Sequence, residues 1–122
     1  MSISYEIGFT KKPDDLAQIL NGQGFIINDV VRTSFDDGKF LIFNYRSVEG
    51  MHISIDYVDG LYSDDSYEKL KEIDSNIVAT ATVSISETNE DDREKYEEIS
   101  RFLRDNYNAI LCDTRTGKEV TD

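Results

Sequence analysis

The chain has 122 residues, the length of one domain, and can bury roughly two thirds of the surface it would expose unfolded. Thirteen Lys and Arg stand against 25 Asp and Glu, and the net charge of −12 excludes nucleic acid and anionic membrane as natural partners. The single cysteine, Cys112, rules out an intrachain disulfide, and one cysteine with one histidine cannot supply a structural zinc site.

Ile3, Tyr5, Ile7 and Phe9 alternate with Ser2, Ser4, Glu6 and Gly8, which predicts a first strand with one apolar face. Lys11-Lys12-Pro13 stops it, and Pro13 suits the first position of a helix whose first turn carries Asp14 and Asp15. Leu16, Ile19 and Leu20 form the apolar stripe of that helix, and Asn21-Gly22-Gln23-Gly24 ends it. Phe25 to Phe35 reads as a second strand with a bulge near Asn28. Asp36-Asp37-Gly38-Lys39 then predicts a hairpin of Val30–Phe35 with Phe40–Tyr45.

Leu41, Phe43 and Tyr45 share one face of the returning strand, opposite Phe40, Ile42, Asn44 and Arg46. After a Val48-Glu49-Gly50 turn, Met51, Ile53, Ile55 and Tyr57 alternate with His52, Ser54 and Asp56 in a third strand of the meander. Tyr67, Leu70 and Ile73 predict a short helix within Ser63–Asp74, with Ser63 or Asp64 as its cap.

The clearest strand is Ile77 to Ser86, with Ile77, Ala79, Ala81, Val83 and Ile85 on one face; a mid-sheet position under the next helix is expected. That helix, capped by Thr88 or Asn89, has Tyr96, Ile99, Leu103 and Tyr107 as its stripe and a Glu97–Arg101 surface pair. Ala109 to Cys112 is a brief last strand before a turn and a polar tail. Hairpins combined with segregated helices define an α+β fold, a largely antiparallel sheet of about five to six strands with helices packed on one face.

No catalytic motif stands out, so a non-enzymatic role is expected. His52 falls opposite the apolar face of its strand, and Cys112 in its apolar strand reads as a buried thiol. The acidic run Asp56-Tyr57-Val58-Asp59-Gly60, continuing to Asp64, Asp65 and Glu68, departs from the EF-hand pattern because Val58 stands where an oxygen is required. Gly22-Gln23-Gly24 closes a helix and lacks the third glycine of a dinucleotide fingerprint; Thr116-Gly117-Lys118 lacks the upstream glycine of a P-loop. No metal and no cofactor is expected. Residues 1–12 lack a basic leader followed by an apolar run, so no secretory signal is expected, and a cytoplasmic location follows.

The distinctive features are therefore regional. Asp56–Asp74 and Glu87–Glu98 are both strongly acidic, and at one end of the sheet they would form a single negative surface carrying tyrosines such as Tyr62. In length, charge, α+β order and the acidic segments Ser63–Asp74 and Glu87–Glu98, the chain resembles the small acidic cytoplasmic immunity proteins of bacterial polymorphic and contact-dependent toxin systems. The resemblance implies tight binding to a basic toxin domain, often a nuclease, whose active site or substrate groove it blocks. From charge, the expected contacts are Tyr62, Asp64, Asp65, Glu68, Asp91, Glu94 and Glu98. Two other readings stay open: an interaction module that forms a homodimer through sheet edges, and a small-ligand binder or enzyme on the sheet face near His52, Asn44 and Arg46.

Overall fold

The computed structural model of the chain describes residues 2–27, 40–45, 53–59, 65–86 and 90–122. Among these described residues, seven strands and three helices follow in the order β1 (Ser2–Phe9), α1 (Leu16–Gly22), β2 (Phe25–Ile27), β3 (Phe40–Tyr45), β4 (Ile53–Asp59), α2 (Asp65–Ile73), β5 (Ala79–Ser86), α3 (Glu90–Tyr107), β6 (Ile110–Asp113) and β7 (Lys118–Glu119). The strands form one sheet in the order β2-β3-β4-β5-β1-β6-β7, and every described pairing is antiparallel. The α+β class and the antiparallel sheet are as expected.

The strand with the strongest alternation takes the middle of the sheet. β5 pairs with β4 on one side and β1 on the other, Val83 lying opposite both Ile55 and Tyr5. β5 and β6 therefore run the same way on either side of β1, and α3 is the crossover between them. One sheet face is apolar along six strands: Tyr5, Ile7 and Phe9; Ala79, Ala81, Val83 and Ile85; Ile53, Ile55 and Tyr57; Leu111; Phe43; and Phe25 are all buried in one cluster with Tyr96, Ile99 and Leu103 of α3. Each such large side chain contributes about 1.5–3 kcal/mol by leaving water. The short α1 joins the same layer through Leu16 and Leu20.

α2 departs from the expectation that all helices share one face. Leu70 belongs to a second cluster with Ile77 and Cys112, flanked by Ile110, on the opposite side of the sheet. The reason lies in β1. Gly8 points away from α3, and a Cβ there would sit 2.5 Å from Ile77 Cδ1 and 3.5 Å from Leu70 Cδ2. The missing side chain lets α2 and its exit segment press onto the strand, whereas the opposite face is already filled by Ile7 and Phe9. Ile77, expected on the α3 face with Ala79, accordingly turns to the α2 face. It precedes the first ladder residue, so the pleat does not bind it to that alternation. Ile73, one of the residues whose spacing predicts this helix, is exposed at the helix end.

Several boundaries differ. α1 begins at Leu16 rather than Pro13; no acidic residue lies in its first turn, and Asp15 at the N-cap makes no side-chain cap bond. The described ladder sets Phe25, Ile26 and Ile27 opposite Tyr45, Asn44 and Phe43. Phe25 is held there by packing: it is buried in the main core, with its ring 5.1 Å from that of Tyr45. The expected bulge at Asn28, strand residues Val30–Phe35 and both meander turns lie outside the described residues. The polar tail is structured: Cys112 and Asp113 pair with Glu119 and Lys118, and the hairpin bends through Gly117 at φ 69°. This hairpin raises the sheet to seven strands. α3 ends at Asn108, the second of the two asparagines, Asn106 and Asn108, from which its end is expected; Asn108 lies in the left-handed region at φ 51°, with the Ala109 N–H donating to the Arg104 carbonyl at 2.8 Å. Among the described residues no helix is long and apolar enough to cross a membrane.

Candidate functional site

The residues expected to contact a partner separate into two groups. Glu68 is exposed on α2, and Glu94 and Glu98 are exposed on α3. Because these helices lie on opposite faces of the sheet, the described carboxylates do not form one continuous surface. Asp65 and Asp91 stand in the first turns of α2 and α3 respectively; Tyr62 and Asp64 lie outside the described residues.

The long α3 carries the larger acidic stripe. Its inward side is fixed by Tyr96, Ile99 and Leu103, so the exposed Glu94, Glu98 and Asp105 fall along the opposite side of the helix. At 1.5 Å per residue that stripe is about 16 Å long. Three of the four cations of α3 are drawn toward the fold and the chain's own acids, while Arg93 is exposed. Lys95 Nζ donates to Gln23 Oε1 at 3.1 Å, lies 3.3 Å from Glu98 and stands over the Tyr45 ring. Arg101 pairs with Glu97 at 2.6 Å, the pair expected from its spacing, and reaches Asp122 at 3.5 Å. Arg104 Nη1 donates to the Val120 carbonyl at 3.1 Å while its Nε contacts Asp105 at 2.9 Å.

The Glu97–Arg101 pair also holds the helix on the sheet. Tyr5 stacks on Tyr96 with ring centroids 5.1 Å apart, and its hydroxyl donates to Glu97 Oε2 at 2.7 Å. Burial, and then the bond to Glu97, raise the Tyr5 phenol above its ordinary value. Burial raises Tyr107 in the same way, with the bond to Asp15 second; its hydroxyl donates to Asp15 Oδ1 at 2.8 Å and ties α3 to the start of α1.

The other sheet face is polar where α2 does not cover it. The registers align Ile42, Asp56, Thr82, Glu6 and Cys112 in one cross-strand row, with Asn44, Ser54, Ser84 and Ser4 in the next. Thr82 Oγ1 donates to Glu6 Oε2 at 2.8 Å, and Glu6 is buried. Burial raises the Asp56 carboxyl above the usual aspartate range. This is the face named from sequence through Asn44; His52 and Arg46 lie outside the described residues. Glu6 and Thr82 were not singled out, and Asp56 was named only within an acidic run, although each occupies the polar phase of its strand. What brings them into one row is the strand order β4-β5-β1, which alternation alone does not carry. Cys112 is buried at the end of the row. Among the described residues no group of three or more His, Cys, Asp and Glu side chains is placed to hold a metal ion.

Compared with known proteins, the chain matches no family model, no curated protein and no solved structure.

Proposed function

We propose that this chain is an acidic protein-binding module of the immunity type, which docks on a basic toxin domain and blocks it by binding rather than by catalysis. The observation that carries the reading is the outward side of α3. A net charge of −12 is combined with a helix whose exposed side carries Glu94, Glu98 and Asp105, with Lys95 and Arg104 reaching Gln23 and the Val120 carbonyl as well as Glu98 and Asp105. Such a stripe steers a basic surface by long-range attraction and fixes its register on contact. A bacterial cytoplasmic setting, with Cys112 kept as a thiol, belongs to the same reading.

The test is capture of a basic partner on the tagged full-length chain, washed at low and then high salt, followed by association kinetics with two double variants. Glu94→Lys/Glu98→Lys on α3 should slow association about tenfold or more, while Glu68→Lys/Glu72→Lys on α2 should leave it nearly unchanged. The reverse pattern would move the docking surface to α2. No effect from either pair, or no basic partner retained, would end the reading.

One observation favours a second reading, a homodimer through sheet edges. Edge strand β2 exposes Ile26 (44%) and Ile27 (36%), an unusual choice for an edge kept monomeric. Light scattering over a range of concentrations tests it: a dimer abolished by Ile26→Lys would support the edge pairing, and a monomer throughout would dismiss it.

A further inference from the structure

We draw no further inference here: the strongest candidate, the Asp56–Thr82–Glu6 row on the sheet face that also carries α2, is a pair of carboxylates around one hydroxyl, and nothing in the structure shows what covers it or what it would hold.

Discussion

The Tyr5 hydroxyl donates to Glu97 Oε2 at 2.7 Å, joining β1 to α3 across 92 positions of sequence. Glu97 in turn holds Arg101, which stands over the Tyr5 ring, so one carboxylate serves both partners. Tyr5→Phe keeps the ring stacked on Tyr96 and removes only the donor; it should cost about 1–2 kcal/mol in urea unfolding. In the Tyr5→Phe, Glu97→Gln cycle a coupling of about 0.5–1.5 kcal/mol is expected, and additive effects would show that the bond contributes nothing.

Gly8 is the second point where the fold depends on one position. Gly8→Ala places a methyl group 2.5 Å from Ile77 Cδ1, so Ile77 must shift, and about 1–3 kcal/mol should be lost. Ile77→Val removes that terminal carbon. The double variant should therefore be more stable than the sum of the two single losses predicts, as read from denaturation of all four proteins.

Burial raises the Asp56 carboxyl, so the folded protein holds this proton more tightly than the unfolded chain does. Its effect on stability is therefore most favourable below the ordinary value of 3.8 and is lost as pH rises through the higher folded value. Asp56→Asn avoids burying the charge. The variant should have a higher urea midpoint than the parent near pH ~7, and the advantage should vanish near pH ~3. A difference independent of pH would mean that Asp56 ionises at no cost in the fold.

The C-terminal hairpin is fastened to α3 by Arg104, whose guanidinium reaches the Val120 carbonyl while the Val120 N–H donates to the Leu111 carbonyl at 2.7 Å. Arg104→Gln should release this strap and speed amide hydrogen exchange at Val120 about tenfold, with little change at Leu103 or Ile99 in the core of α3. Equal acceleration at all three sites would instead report global destabilisation.

Much of the architecture is legible in local pattern. Alternation in Tyr5–Phe9, Ile53–Tyr57 and Ala79–Ile85 identifies strands and the face each buries, because a pleated chain sends successive side chains to opposite sides. The 3.6-residue spacing of Tyr96, Ile99 and Leu103 likewise identifies the buried side of α3, and Glu97–Arg101 is a neighbour pair that helical geometry alone brings together.

The sequence by itself determined the class of fold, the central strand and the acid surplus, since these follow from periodicity and composition. Only the tertiary structure decided that α2 crosses the face opposite α3, that Ile77 turns away from Ala79, and that Glu6, Thr82 and Asp56 share a row. Each of these depends on contacts between distant segments: Gly8 admits α2 only once β1 stands beside β5, and the carboxylates align only once β4, β5 and β1 are neighbours. Periodicity specifies which side of an element is apolar. Which element lies against that side is settled by the packing of the whole chain.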